Sequence, residues 1–263
     1  MRNEDEQFRN ALLAALPRGA PAPDERQLLS MHAWHHAVVE ANQRFNLTRI
    51  TELAEAAVKH FADSLAVLAW CEKGVRSLRP EECEAYPSGA APSHPVANEA
   101  KAPDPFFSAT VLDVGTGAGF PAAPLAIMRP DWRITAIDST GKKARFVSDT
   151  AARLGLANLT ALHARAGLWK PPAPFDLVLF KAVGSMDECL DAARGLVRRG
   201  GAVVHFKTAA APKEEVAAAE KAARRLGFTP ATTLSYQLRF REERMERALW
   251  VFLAETGARG RGS

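Results

Sequence analysis

The stretch Val111-Leu112-Asp113-Val114-Gly115-Thr116-Gly117-Ala118-Gly119-Phe120-Pro121 decides the fold of this chain. In it an apolar run ends in an acid, three alternating glycines follow, and a further apolar segment begins at Ala122. This order predicts a buried strand, a tight turn and the start of a helix. Glycine permits positive φ and close approach of a ligand to the backbone, and a helix N-terminus offers unpaired N–H groups. The turn is therefore typical of a cradle for a nucleotide-like ligand.

The residues around the turn distinguish between nucleotide ligands. A dinucleotide fingerprint has its third glycine where this chain has Phe120, because a glycine there permits close packing of helix on strand, so NAD fits poorly. Asp138 ends the next predicted strand, where a carboxylate suits a ribose diol, and Asp113 can organise the turn or face a cationic ligand. Together they favour S-adenosylmethionine, which has a ribose and a sulfonium but no phosphate. A glycine turn that binds no ligand is the alternative.

The composition bounds the class of protein. The chain has 263 residues, 47% of them hydrophobic, and a mean hydropathy of −0.16, as in soluble globular proteins. Its net charge of +4 favours a polyanionic partner without distinguishing RNA from a membrane surface. We expect a cytoplasmic protein with no membrane span, because no signal segment and no apolar run of about 18 residues occurs. Cys71, Cys83 and Cys189 have no C-x-x-C spacing, so we interpret them as reduced thiols.

The N-terminal region, residues 1–71, has helical periodicity, with Asp24 as a predicted N-cap. His32 and His36 have the i,i+4 spacing of some metal ligands, but no H-E-x-x-H motif accompanies them. We therefore interpret them as histidines at the solvent or the helix edge, and we predict no metal site.

A second helical stretch places Lys59, His60 and Asp63 within about one turn of each other. They line one edge of a cleft or belong to a solvated, amphipathic helix face, and the sequence leaves both interpretations open. Residues 72–107 contain six prolines and no sustained periodicity, which predicts a surface insertion or linker.

From residue 110 onward strands and helices alternate, which predicts right-handed crossovers into a mainly parallel sheet followed by an antiparallel hairpin. Gly200-Gly201 is predicted to turn into the fifth strand, and a helix over 209–226 is predicted to end at Gly227. The predicted strands are 110–114, 133–137, 159–163, 175–180, 202–206, 232–238 and 248–253. The fold class is thus α/β, a seven-stranded Rossmann-like class I methyltransferase domain over 108–254 with an N-terminal helical extension and a flexible basic tail, 255–263.

Two basic features have an open interpretation. Lys142, Lys143 and Arg145 open the helix after Asp138, near the carboxyl edge of the sheet where open α/β sheets bind ligands. Either these side chains bind phosphate groups, or they form a solvated helix face. The tail, 255–263, contacts RNA or is a frayed terminus.

Several motifs, in this order, make the chain resemble the RsmG (GidB) family of small-subunit rRNA guanine-N7 methyltransferases. They are Phe45-Asn46-Leu47-Thr48, His60-Phe61-x-Asp63-Ser64-Leu65, the glycine turn, and Asp138-Ser139-x-x-Lys142-Lys143-x-x-Phe146. The resemblance implies methyl transfer from S-adenosylmethionine to N7 of one guanine, with 16S rRNA or the 30S particle as partner and a monomeric enzyme. Guanine N7 carries a lone pair and no proton, so the reaction needs positioning and no general base. No catalytic residue is assigned.

The resemblance also implies which residues bind the cofactor. They are Gly115, Gly117, Phe120, Asp138, Ala166, Gly167 and Lys181. Three positions depart from the family pattern: Gly167 replaces an acid, Lys181 replaces an arginine and loses its bidentate fork, and Ala122 replaces a glycine.

Two functions of other classes therefore stay open. One is a methyltransferase of a small molecule or protein, which would use the same cradle without RNA-dependent activity. The other is a non-catalytic RNA-binding or ribosome-assembly factor on a degenerate scaffold.

Overall fold

The computed structural model describes residues 2–74 and 108–256. Most of the predicted insertion, 72–107, and of the predicted tail, 255–263, lies outside these ranges. Within them, no helix is long and apolar enough to cross a membrane.

The centre of the fold is one seven-stranded sheet with the strand order β3-β2-β1-β4-β5-β7-β6. Strands β1 to β5 are parallel, and β7 is antiparallel to both β5 and β6. The strands are β1 Thr110–Val114, β2 Arg133–Asp138, β3 Leu159–His163, β4 Phe175–Lys181, β5 Val197–Thr208, β6 Phe228–Phe240 and β7 Glu243–Ala254. This confirms the predicted α/β class, the parallel crossovers and the terminal hairpin.

The fifth strand is longer than its sequence pattern predicts. It begins at Val197, so Gly200-Gly201 lies within the strand and the predicted turn is wrong. Gly200 has φ +68°, and a Cβ on Gly201 would lie 2.8 Å from the carbonyl oxygen of Asp176. The two glycines therefore allow an irregularity in the pairing of β4 with β5, where the register shifts after Phe175.

Eight α-helices and one π-helical segment, Ala57–Ala62, surround the sheet in the described residues. Asp24 caps its helix as predicted, in a reciprocal capping box with Gln27. The last helix begins at Lys213 and not at 209, because Pro212 occupies its N-cap, and it ends at Gly227 in the left-handed conformation, as predicted. The α-helices are α1 Arg2–Ala15, α2 Glu25–Asn42, α3 Leu53–Ala56, α4 Asp63–Gly74, α5 Ala122–Met128, α6 Gly141–Arg153, α7 Met186–Ala193 and α8 Lys213–Leu226.

The N-terminal helices share a hydrophobic core with one face of the sheet. Phe8, Trp34 and Leu65 belong to the same buried cluster as Val111 and Ile134. A second cluster packs α7 and α8 on the opposite face. The sheet is therefore covered on both sides, and the carboxyl ends of β1 and β4 meet at its centre.

Candidate active site

The glycine turn after β1 is fixed to the end of β2 by backbone hydrogen bonds. The N–H groups of Gly115 and Thr116 both donate to the carbonyl oxygen of Ile137, at 2.8 and 3.1 Å. The N–H of Gly117 donates to Oδ2 of Asp138 at 3.0 Å. Asp138 therefore organises the turn itself, in addition to the ribose role predicted for it.

Two of the three glycines are needed because of close contacts inside the protein. A Cβ on Gly115 would lie 2.6 Å from Cγ2 of Val183, and one on Gly119 would lie 2.5 Å from Cζ2 of Trp34. The nearest atom to a Cβ on Gly117 would be 3.9 Å away, so that residue is needed for its φ of +57°. All three glycines have a positive φ, as the sequence predicts, and at Gly115 and Gly119 these internal contacts are a further reason for glycine.

A cavity of about 280 Å³ opens at the topological switch point between β1 and β4. Open α/β sheets bind ligands at this place, outside the carboxyl ends of their strands. The cavity brings together three predicted residues, Gly115, Ala166 and Gly167. Further lining residues are Ile137, Ser139, Phe180, Val183, Gly184 and Cys189. Those after β4 were missed from the sequence, although the switch-point rule points to the loop after that strand.

The other four predicted residues do not line this cavity. Gly117 and Asp138 lie just behind it in the hydrogen-bonded turn, and Asp138 also accepts from the N–H of Thr140 at 2.8 Å through Oδ1. Phe120 is buried on the side of the N-terminal helices, and Lys181 at the end of β4 also faces those helices. The structure therefore divides the seven residues into lining and supporting positions.

Asp113 is a buried acid directly beneath the glycine turn. Its Oδ2 accepts from the N–H of Ala122 at 3.2 Å, whereas Oδ1 has no hydrogen-bond donor among the described residues. Burial raises the pKa of Asp113 to about 6. Asp113 does not itself line the cavity, but the two residues that follow it in the chain, Val114 and Gly115, do. A buried carboxylate directly beneath the turn suits a cationic ligand, so the residues present fit a sulfonium cofactor.

Lys181 lies in a buried ionic cluster. Its Nζ is 3.0 Å from Oδ2 of Asp63 and donates to the carbonyl oxygens of Lys59 and His60 at 3.4 and 3.3 Å. Only 10% of the Lys181 side chain and 2% of the Asp63 side chain are exposed. The amine is thus occupied by protein groups and has no free donor aimed at the cavity.

Asp63 is the centre of that cluster. It also accepts hydrogen bonds from the hydroxyl of Tyr236 at 2.6 Å and from Nε of Arg247 at 3.1 Å. Burial alone would raise the pKa of Asp63, but the charges of Lys181 and Arg247 hold it below its ordinary value. The carboxylate therefore joins α4 to β4 and to the terminal hairpin. The solvated-face interpretation of this helix is wrong at Asp63.

The same interpretation is wrong at His60. Its ring stacks on Phe120 with a centroid distance of 4.5 Å, and its Nε2 lies 3.0 Å from Oγ1 of Thr48. Burial lowers the pKa of His60 to about 3, so the ring is neutral at pH 7. Lys59, in contrast, pairs with Glu55 and Glu243, each at 3.0 Å. His60 thus packs against Phe120, the residue that follows the last glycine of the turn.

Two of the three histidines of α2 are buried, whereas His36 is exposed, as the sequence predicts. His32 is buried against the ring of Phe8 and its Nδ1 lies 2.5 Å from Oδ1 of Asp5, and His35 is buried as well. The expectation of solvent or edge positions is therefore wrong for His32, and burial also lowers the pKa of His35 to about 4. In 2–74 and 108–256 no group of three or more metal-binding side chains comes together.

The thiol of Cys189 lines the cavity but is unsuited to nucleophilic attack. Burial raises its pKa to about 12, and its Sγ donates to the carbonyl oxygen of Val183 at 3.2 Å. Cys71 and Cys189 are buried, reduced thiols, as expected, and Cys83 lies outside the described residues.

Comparisons with known proteins agree on one family. The model of the GidB family, rRNA small subunit methyltransferase G, matches residues 97–242. Curated relatives with the name "Ribosomal RNA small subunit methyltransferase G" include those of Solibacter usitatus, 35% identical over 83% of this chain and 87% of the relative, and Microcystis aeruginosa, 33% identical over 70% and 72%. The relative from Leuconostoc citreum is 31% identical over 87% of this chain and 84% of its own length.

Solved structures are more distant. A putative methyltransferase from Thermoplasma acidophilum covers 57% of this chain and 70% of its own, with 10% identity and a TM-score of 0.47. The fold class follows from the strand order above.

Proposed function

Because the chain belongs to the rRNA small subunit methyltransferase G family, we propose that it transfers a methyl group from S-adenosylmethionine to N7 of a guanine in 16S rRNA. The observation that carries the proposal is the cavity at the switch point, which is bordered by the glycine turn of the family motif. The substrate is 16S rRNA itself or the 30S particle. A monomeric, cytoplasmic enzyme stays our prediction.

The cofactor, when bound, supplies an electrophilic methyl group on a sulfonium. Gly115, Ala166 and Gly167 would hold it through the backbone and small side chains that line the cavity. Asp138 would support the site by fixing the turn, and its carboxylate keeps acceptor capacity for ribose hydroxyls beyond the two N–H groups it binds. The negative charge of Asp113 would favour binding of a ligand with the fixed positive charge of a sulfonium.

The chemistry of N7 explains why the cavity needs no base. This nitrogen carries a lone pair and no proton, and it is an exposed acceptor on the major-groove edge of guanine. The enzyme has to hold it in line with the methyl group, and such positioning supplies several kcal/mol. Accordingly Cys189, which lines the cavity, stays a neutral thiol, and His60 is neutral and turned toward Phe120.

The three departures from the family pattern are compatible with activity. Lys181 keeps a charged partner for Asp63, and no atom lies within 4 Å of where a Cβ of Gly167 would be. Ala122 is fully buried and its N–H still binds Asp113. None of the three blocks the cavity. This weakens the case for a degenerate scaffold.

The test is methyl incorporation from labelled S-adenosylmethionine into 30S subunits that lack the endogenous modification, followed by nuclease digestion. We expect 7-methylguanosine at a single site. Cofactor binding without incorporation into 30S subunits or 16S rRNA would contradict the proposal and favour a small-molecule or protein acceptor. Absence of cofactor binding would favour the non-catalytic factor. Gly115→Arg, which fills the turn, provides the inactive control.

A further inference from the structure

A groove of about 380 Å³ runs between α2 and α6. It is larger than the cavity of about 280 Å³ at the switch point, and no residue lines both. Four cations line it: Arg44, Lys142, Arg145 and Arg153. We call it the basic groove.

The cations of the basic groove are not neutralised within the described part of the chain. Arg44, Lys142, Arg145 and Arg153 are exposed, and none of them forms an ion pair with residues 2–74 or 108–256. Two acids, Glu40 and Asp149, also line the groove, which leaves an excess of two positive charges. Asp149 even stands four residues after Arg145 without pairing with it. Elsewhere exposed arginines do pair, as Arg225 does with Asp191 at 2.8 Å.

The helix that forms one wall, α6, carries cations at its N-terminal end, which is the unfavourable end for them, as well as Arg153 in its last turn. Lys142 and Lys143 lie in the first turn of α6, where the helix macrodipole is positive and acids are stabilising. In the described chain α2, α7 and α8 follow that rule, since their first turns carry acids. The first turn of α6 has none. Cations and unpaired N–H groups at one helix start repel each other in the free protein and are both stabilised by an anion.

The basic groove is connected to the cofactor cavity by a short segment. Ser139 lines the cavity, and Lys142, three residues later, lines the groove. Trp34 on α2 holds the two walls and the turn together: its ring meets Phe146 edge-on at 6.1 Å and its Nε1 donates to the carbonyl oxygen of Ala118 at 2.9 Å. A polyanion bound in the groove would therefore pass close to the cavity.

The basic groove also contains an aromatic ring, which a binding site for a small anion would not need. Phe45 is half-buried and lines the groove next to Arg44. Proteins that bind single-stranded nucleic acid combine a positive groove for the backbone with aromatic rings on which bases stack. The combination of Phe45 with a groove that has an excess of two positive charges matches this arrangement.

We infer that the basic groove binds the phosphate backbone of a single-stranded segment of the RNA substrate and leads it to the cofactor cavity. This inference rests on the proposed function, because it takes ribosomal RNA as the substrate. The phosphates bind Lys142 and Arg145 on α6 together with Arg44 and Arg153, and Phe45 offers a stacking surface for a base.

The test compares two double variants with equal loss of charge. Lys142→Ala with Arg145→Ala removes two cations of the groove, and Lys213→Ala with Lys221→Ala removes two exposed, unpaired lysines of α8. Affinity for a protein-free 16S rRNA transcript is measured at several salt concentrations. The groove variant should lose affinity roughly tenfold at 0.1 M salt, and the slope of log K against log salt should fall by about 1 for each cation. The α8 variant should bind as the wild type does, and S-adenosylmethionine affinity should be unchanged in both.

Each other outcome has a distinct meaning. Wild-type affinity and slope in the groove variant, with the wild type still methylating 30S subunits, would overturn the inference and leave the proposed function intact. Equal losses in both double variants would also overturn it, since the effect would be one of net charge. If the groove variant bound the transcript normally but the 30S particle more weakly, the groove would bind a protein of the particle. That result would also overturn the inference. Absence of both RNA binding and methylation in the wild type would overturn the proposed function, and the inference with it.

Discussion

Removal of the Asp63 carboxylate should destabilise the protein far more than removal of an exposed one. In Asp63→Ala the amine of Lys181 loses its carboxylate at 3.0 Å while staying buried, and Arg247 and the hydroxyl of Tyr236 lose their acceptor as well. Breaking a buried ion pair by removing one partner costs about 3–5 kcal/mol, because the remaining charge is left in a medium of low dielectric. For a chain of this size that corresponds to a fall in Tm of roughly 10 °C.

The assay is urea unfolding at pH 7 with a matched control. Asp191 pairs with Arg225 at 2.8 Å, and both side chains are more than half exposed. Asp191→Ala should therefore cost less than about 1 kcal/mol, although the distance between the charged atoms is similar. In Asp63→Ala the midpoint should fall with an unchanged m-value.

A double-mutant cycle decides whether the pair itself carries the effect. With Lys181→Met in addition, part of the loss should be recovered, because no unpaired ammonium stays buried. A coupling free energy of roughly 1–3 kcal/mol between positions 63 and 181 is expected. Additive effects within about 0.5 kcal/mol, or a loss in Asp63→Ala no larger than in Asp191→Ala, would refute the reasoning.

Three further predictions concern single residues. Gly115→Arg should abolish S-adenosylmethionine binding as measured by calorimetry. The control is Gly155→Arg, which has a similar φ of +70° but no atom within 4 Å of its Cβ position, and it should bind the cofactor normally. Equal losses of affinity in the two variants would mean that backbone strain alone is responsible. The folded state favours the protonated form of Asp113, whose pKa rises from 3.8 to about 6. The free energy of unfolding should therefore fall by roughly 2 kcal/mol between pH 4 and 7 relative to Asp113→Asn, and parallel pH curves would disprove this. His32→Ala should lower Tm, since the ring packs on Phe8, but leave kcat unchanged; reduced kcat would give His32 a role at the site.

The part of the fold that could be predicted from the sequence depends on local patterns. The strand, glycine turn and helix from Val111 to Met128 follow one another within the chain, and periodicity with positive-φ glycines is enough to recognise them. The same holds for Asp24 as N-cap and Gly227 as helix end. The predicted turn at Gly200-Gly201 was wrong because a pair of glycines occurs both in turns and in irregular strands, and the sequence does not distinguish the two.

The candidate site was predictable where the backbone makes it and unpredictable where distant side chains complete it. Gly115, Ala166 and Gly167 line the cavity because they follow the ends of parallel strands, which meet at one edge of the sheet. The position of Lys181 depends on its ion pair with Asp63, a residue of α4 far away in the sequence. No periodicity relates residues at such separations, so the sequence did not predict this ion pair. Lys181 was assigned to the cofactor from the family resemblance alone.

The contacts of the N-terminal helices make them part of the candidate site. Trp34 fills the space beside Gly119 and binds Ala118, and His60 covers Phe120, so two consecutive parts of the glycine turn are shaped from outside the sheet. Such contacts limit the conformations of the turn before any ligand binds, which lowers the entropic cost of forming the cradle. Since Trp34 also joins α2 to α6, the walls of the basic groove and the cofactor cradle rest on the same side chain. A substitution that shifts Trp34 would therefore disturb cofactor binding and RNA binding together, whereas one confined to the exposed cations of α6 would disturb RNA binding alone.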